Sequence, residues 1–417
     1  MQPPDLTWID SKLTASRPRV MAALLRYFRD LDLAEEAFQE ACLRALKNWP
    51  ENGPPRNVEG WLITVGRNLT LDVLKREART SGLPSEDVLS NVEDAEPDLV
   101  ERLDTADYRD DILRLLFICC HPDLPATQQI ALALRIVSGI PVGDIARAFL
   151  VGEHAMRQRI TRAKATIADA GVPFETPDQA ERENRLAAVS AMIYLVFSEG
   201  YSDPDPAGER SGLCHEGIRL ARLLLRMFPS DPELMGLLAL MLLQHSRQET
   251  RVDANGLLVL LEDQDRSRWN RPMIAEALVL IDKAMLRRGP GPYQIQAAIA
   301  ALHARAATPE DTDWKEIDQL YAALERRSPS PVVTLNRAVA VSKTEGAEAA
   351  LQMIEPLAVK LSGYFYYHGA RGALLKQLGR TSEARCAFDQ AIALAGTVAE
   401  AAHIRQQLDQ MTGLEKN

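Results

Sequence analysis

Three runs of this 417-residue sequence carry polar side chains at spacings that suit contact with another molecule. Along Gly60–Arg79, an apolar stripe alternates with Arg67, Asn68, Asp72, Lys75, Arg76 and Arg79. Basic side chains supply phosphate contacts, and an asparagine amide can read a base edge. The preceding loop, Asn52-Gly53-Pro54-Pro55-Arg56-Asn57, with Trp61 just beyond it, has the make-up of a pocket for an unstacked base. Along Glu153–Lys164, burial of Met156, Ile160 and Ile167 leaves His154, Arg157, Gln158, Arg159, Arg162 and Lys164 free for a groove and its backbone. The third run, Asp30–Leu46, is acidic. If Leu33, Ala37, Ala41 and Leu43 face a core, then Asp32, Glu35, Glu36, Gln39 and Glu40 form a polar face suited to a protein partner. Each run has a plainer alternative: a helix whose basic end complements its dipole, a simple αα-hairpin, and a solvated acidic face.

Covalent and metal chemistry find less support. Cys119-Cys120-His121 places two thiols in succession, which diverge around a helix, and no second Cys/His pair stands at zinc-site spacing. Buried thiols are the better reading. Ser198-Glu199-Gly200-Tyr201 has no partnered base or phosphate loop and reads as a packed turn with a buried tyrosine. His215, His245, His303, His368 and His403 lie on helix-like segments without i, i+4 partners and read as structural. Tyr364, Phe365, Tyr366 and Tyr367 form an aromatic cluster that reads as repeat core. No catalytic set converges, so the sequence points away from an enzyme, and no metal or cofactor is expected.

The elements that must position these residues are helices throughout. Apolar residues recur at three- and four-residue steps in Val20–Tyr27, Leu31–Trp49, Gly60–Arg79 and Asp110–Ala170. Within the last of these, Ile140–Lys164 reads as helix-turn-helix. Ala146 is the small residue at the crossing, Phe149–Gly152 forms the turn, and Leu150 stands where such turns usually carry glycine. Between Thr80 and Asp107 stand nine acidic residues and one basic one, Arg102. This stretch reads as a flexible linker and supplies most of the net charge of −10. An acidic total lowers non-specific DNA affinity without excluding binding delivered by a partner. Five scattered cysteines fit a reducing cytoplasm, and neither a signal peptide nor a membrane span is evident.

From Ala180 onward, helix-like segments are separated by breaks such as Pro229-Ser230-Asp231-Pro232 and Ser328-Pro329-Ser330-Pro331. Ala338 and Ala350 stand 34 residues before Gly372 and Ala384. That is the tetratricopeptide period, in which small residues let paired helices pack closely, and it predicts an α-solenoid, strongest near the C-terminus.

Taken in order, the three polar runs and the acidic linker resemble the extracytoplasmic-function (ECF) class of sigma-70-like sigma factors, over Leu6 to about Ala170. The rest resembles the ECF subgroup with a C-terminal tetratricopeptide-repeat extension. Leu115–Pro122 and Tyr194–Tyr201 look like stretches typical of it, with Ser198 in place of an expected Asn. The resemblance implies an all-α protein: a sigma-2 domain at 1–80, an acidic linker at 81–108, a sigma-4 helix-turn-helix domain at 109–172 and a helical regulatory extension at 180–417. It further implies that Asp32, Glu35, Glu36, Gln39 and Glu40 bind core RNA polymerase. Asn57, Trp61, Arg67, Asn68, Asp72, Lys75, Arg76 and Arg79 would read the melted −10 element. His154, Arg157, Gln158, Arg159, Arg162 and Lys164 would bind the double-stranded −35 element. A small protein of the DGPF type is the associated regulatory partner it implies. The competing readings are a helix-turn-helix regulator with a repeat sensor, which has no use for the two N-terminal runs, Asp30–Leu46 and Gly60–Arg79, and a scaffold, which leaves the basic stripe unexplained.

Overall fold

The computed structural model describes residues 7–81, 107–149, 151–170, 179–202, 211–253, 257–287 and 289–414. The acidic linker and the junction around Pro173 and Pro177 therefore lie almost wholly outside the described residues, as does Leu150. Among the described residues the chain is all-α, with one isolated β-bridge between Val252 and Leu258. It divides into two compact units, Met1–Val196 and Phe197–Asn417.

The first unit opens with α1 (Thr7–Phe28), α2 (Leu31–Asn52) and α3 (Val58–Ser81). Asp30 ends the turn after α1 and caps α2, its carboxylate accepting from the Asp32 and Leu33 amides at 2.8 and 2.9 Å. Gly53, at φ 72°, closes α2 by donating to the Trp49 carbonyl at 2.9 Å, a backbone shape that favours glycine. The α2 core row is Leu31, Ala34, Ala37, Phe38, Ala41, Ala45 and Trp49. This corrects the expected stripe: Leu43 is 51% exposed, and Glu35, expected on the polar face, is only 6% exposed. Small residues let α2 and α3 approach closely. A Cβ on Gly66 would fall 2.6 Å from the Ala37 carbonyl oxygen. Trp49 gathers the far end of this bundle, its ring 6.5 Å from Trp8 and 5.4 Å from Trp61.

The unit continues with α4 (Asp107–Cys119), α5 (Ala126–Ile136), α6 (Val142–Ala148) and α7 (Glu153–Asp169). The α4 helix packs along α1, and α7 crosses both α5 and α6. Cys119 and Cys120 are buried at the end of α4, and burial pushes the Cys120 thiol up to about 12, as suits inert core thiols.

The second unit holds the end of α8 (Gln179–Ser202), then α9 (Ser211–Met227), α10 (Pro232–His245), α11 (Arg271–Met285), α12 (Pro292–Arg305) and α13 (Trp314–Arg327). After them come α14 (Pro331–Thr344), α15 (Ala347–Ile354), α16 (Phe365–Gln377), α17 (Thr381–Leu394) and α18 (Val398–Leu414). The pairs α14/α15 and α16/α17 begin 34 residues apart, since 365 − 331 and 381 − 347 are both 34. Ala338, Ala350, Ala384 and Ala391 are all buried, and a Cβ on Gly372 would meet the Phe388 ring at 2.5 Å. Small residues at the 34-residue spacing are thus buried in both pairs, and at Gly372 they bring α16 close to α17.

Two local readings are corrected here. Ser198–Tyr201 is helical and not a turn; Tyr201 stacks on Phe197 and under the Arg251 guanidinium, 3.7 Å from its ring centre. The histidines at 215 and 245 are not isolated. Their Nε2 atoms stand 3.3 Å apart, joined through tertiary packing and not through i, i+4 spacing.

Two predictions follow from this packing. Gly66→Ala should cost about 1–3 kcal/mol in chemical denaturation, because helix backbone must move. Gly212→Ala, in open space, should change stability by less than about 0.5 kcal/mol. The second concerns pH. Burial, and then the His215 charge, lower the His245 pKa to about 4 from an ordinary 6.5. The unfolded chain therefore binds this proton first as pH falls, so stability present above pH 6.5 is lost between about 6.5 and 4. Thermal melts of the full chain at pH 7 and pH 5 should show the loss, and His245→Gln should reduce its slope.

Candidate nucleic-acid interface

The polar runs occupy α2, the α2–α3 loop, α3 and α7. In the loop, positions 52, 53, 54, 56 and 57 are exposed. Asn57 stands at the start of α3, where its side-chain oxygen accepts from the Gly60 amide at 2.9 Å. Trp61 is half-buried against Trp49. This gives an accessible polar loop beside an aromatic platform, the pairing that suits a base out of its stack.

On α3, Asn68 is exposed, but Arg67 is turned inward and only 8% exposed. Its guanidinium lies 5.7 Å from the centre of the Tyr27 ring and donates to Asn68 Oδ1 at 3.3 Å from two nitrogens. The expected place of Arg67 in a free basic stripe is thereby corrected: helix register carries it to the α1 side. The backbone of α3 runs on as helix through Asp72, Lys75, Arg76 and Arg79. Their side chains lie outside the described residues.

The α6–α7 pair has the expected crossing. Ala146 is buried between the helices, the Val151 amide donates to the Ala146 carbonyl at 3.0 Å, and Met156, Ile160, Ala163 and Ile167 form the inner face of α7. Outward stand His154, Arg157, Gln158 and Arg162, with Arg159 half-buried. Local pairs pre-order this face. Arg157 bridges to Glu153 at 2.6 Å, and the Gln158 amide nitrogen lies 3.0 Å from His154 Nε2. Both are one-turn pairs on an exposed surface, easily exchanged for phosphate or base partners.

Lys164 departs from that face. Its Nζ reaches back to α2, 2.5 Å from Asp32 Oδ1 and 2.9 Å from Glu35 Oε2. Burial works against its charge, but hydrogen bonding and opposite charge at Asp32 and Glu35 more than offset this and raise its pKa. Glu35 also meets Arg135 of α5 at 2.5 Å and Arg17 of α1 at 3.7 Å. Arg17 in turn donates from Nε to the Ile136 carbonyl at 3.0 Å and from Nη2 to the Arg135 carbonyl at 3.1 Å, and lies 4.7 Å from the centre of the Phe38 ring. A guanidinium there satisfies the free carbonyls and negative dipole end of α5. Burial lowers its pKa to about 10 against the pull of Glu35, so it stays charged at neutral pH. Arg17 and Arg135 escaped the sequence reading. The Arg17-Pro18 pair inside an apolar helix was the one local hint, and the partners of Arg17 lie more than a hundred residues away.

Exposed on α2 are Glu36, Gln39 and Glu40, Leu43 and Leu46 at 51% and 42%, and the cations Arg44 and Lys47. Leucines exposed among carboxylates and a few cations suit an amphipathic protein partner better than a nucleic acid. In the second unit, an open groove of about 700 Å³ is lined by Trp314, Tyr321, Leu335, Asn336, Val339 and Lys343 among others. No helix among the described residues is long and apolar enough to cross a membrane.

Residues 13–80 match the family described as Sigma-70 region 2, and residues 114–167 match Sigma-70, region 4. Residues 185–285 match a family of unknown function, DUF6596. An uncharacterized protein of Rhizobium meliloti (strain 1021) is 69% identical over 408 residues, covering 98% of this chain and 96% of the relative. No solved structure matches significantly. Because both sigma-70 regions are matched, in order, on the very helices that present the exposed polar rows, the chain belongs to the sigma-70 family of sigma factors, with a role in promoter recognition and with core RNA polymerase and promoter DNA as its partners.

Proposed function

We propose that this chain is an ECF-class sigma factor whose α2 face binds core polymerase and whose C-terminal helical repeats regulate it. The observation that carries the reading is the pair of exposed rows on α2 and α7, each within a matched sigma-70 region. Glu36, Gln39, Glu40, Leu43 and Leu46 form the polymerase contact. The Asn52–Asn57 loop, Trp61 and Asn68, with Asp72, Lys75, Arg76 and Arg79 further along α3, take the melted −10 strand. His154, Arg157, Gln158, Arg159 and Arg162 take the −35 duplex. The domains divide at 1–80, 81–108, 109–172 and 180–417. Strand opening draws on binding energy for unstacked bases, with no hydrolysis. Polymerase holds the two DNA-reading surfaces at promoter spacing, so each raises the effective concentration of the other. The aromatic groove of the extension is a site for a regulatory protein, for which the family resemblance suggests the DGPF type.

Run-off transcription with purified host core polymerase on a pool of genomic promoter fragments tests the reading. Discrete new transcripts that depend on this chain are expected. No transcripts and no co-purification with core would favour a helix-turn-helix regulator instead. Glu36→Lys with Glu40→Lys should weaken core binding by roughly tenfold or more while the circular dichroism spectrum stays unchanged. Arg157→Ala and Arg162→Ala should each weaken −35 binding and reduce the slope of log affinity against log salt by about 0.9. An unchanged slope would remove these residues from the phosphate contacts.

A further inference from the structure

Between α10 and α11 the described chain carries no α-helix, and it passes through five consecutive apolar residues, Leu257-Leu258-Val259-Leu260-Leu261. None of the five is buried, and Leu260 is 42% exposed. Connections are ordinarily polar, and a run of this length left open to water is a fault unless it meets something. Its end walls the groove of about 700 Å³ in the second unit, through Leu260, Leu261 and Glu262. Opposite stand Asn336, Val339 and Lys343 of α14, and then Ala370, Ala373 and Gln377 of α16, each 34 residues further on.

The wall is fixed at both ends and lightly held between them. The Val259 amide donates to the Arg251 carbonyl at 2.9 Å, and Arg251 stacks on Tyr201. The buried Gln264 amide donates to the Val259 carbonyl at 3.1 Å. Arg266 donates to the His303 and Ala306 carbonyls at 2.9 and 2.8 Å, at the end of α12. The tie to α14 is the Glu262–Lys343 bridge, 2.8 Å long and exposed at both partners. Water or another acid exchanges readily into such a pair.

From this arrangement we infer that the groove takes a short extended peptide segment of a partner protein, apolar with an acidic residue, laid between the Leu257–Leu261 run and the helices α14 and α16. Its carboxylate takes Lys343 from Glu262. The inference rests on the reading of this groove as the seat of a regulatory protein, and it names the segment that such a protein must present. Two charges of each sign line the groove: Arg266 and Lys343, Glu262 and Glu310. Burial lowers the His303 pKa to about 4, so that ring adds no charge at pH 7. Arg266 is committed to the α12 carbonyls, so Lys343 is the cation open to exchange, and an incoming carboxylate keeps its charge matched as Glu262 moves into water. The Lys343 Nζ lies 5.8 Å from the centre of the Trp314 ring, which gives the residue beside the acid an aromatic surface. Ala370 and Ala373 leave room along α16, and the Asn336 and Gln377 amides are placed to meet peptide backbone. From Asn336 to Lys343 is two turns, about 10 Å of helix, which an extended peptide crosses in about three residues.

The probe is a fluorophore-labelled synthetic peptide with the sequence of residues 257–263, which joins an apolar run to two acids. Its binding to the full chain is read by fluorescence anisotropy. Glu262→Gln should bind it tighter than the parent by about threefold, and Lys343→Glu weaker by about tenfold, with the circular dichroism spectrum unchanged. A second peptide, with both acids replaced by lysine, should bind the Lys343→Glu chain to within about threefold of the parent pair. Equal affinity of the first peptide for all three chains, or no recovery with the second, overturns the site. Run-off transcription with and without the first peptide separates this inference from the reading beneath it. Binding that depends on Lys343, with transcript yield unchanged, removes the regulatory role and leaves the site standing. Binding without that dependence removes the site alone.

Discussion

A carboxylate cannot be taken out of water without partners, and Glu35 is the carboxylate around which the first unit is organised. One residue draws Arg17, Arg135 and Lys164 together from three helices. Arg17 also completes the end of α5 by accepting the role of its missing amide partners. Removing any one of these groups leaves a buried charge without compensation, so the network acts as a unit. The positions of α5 and α7 on α1 and α2 follow from that requirement, together with the packing of α4 along α1.

Around the network, the helices approach by means of small side chains. Gly66 against the Ala37 carbonyl fixes how near α3 lies to α2, and this in turn aligns the exposed loop at 52–57 with the Trp61 ring. The second unit uses the same device in repeated form. Gly372 against Phe388, and alanines at 338, 350, 384 and 391, set the spacing of the last two helix pairs. Both units thus keep rigid helical scaffolds beneath surfaces that are polar and open. Binding surfaces of this kind give specificity through charge arrangement more than through buried area.

The acidic total has a physical reading in this setting. A net charge of −10 disfavours non-specific DNA affinity, while α3 and α7 each carry a local cluster of basic residues. Under the proposed function, promoter contact depends on polymerase holding those faces in place.

The sequence by itself determined the helices, their breaks and their repeat. Apolar periodicity, the cap at Asp30, the Pro-Ser pairs and the 34-residue spacing are local or periodic signals, and each has a direct backbone consequence. The resemblance carried by the ordered polar runs was enough to anticipate both sigma-70 regions and the outward face of α7. Which of those polar residues face a partner was decided only by tertiary structure. Helix register gives a side chain its direction, but whether water or a charge 129 residues away lies there depends on the packing of another helix, as Glu35 and Lys164 demonstrate. Arg67 turned to Tyr27, and His245 to His215, for the same reason: long side chains take the burial and the partner that the completed fold offers, and no short-range pattern encodes that choice.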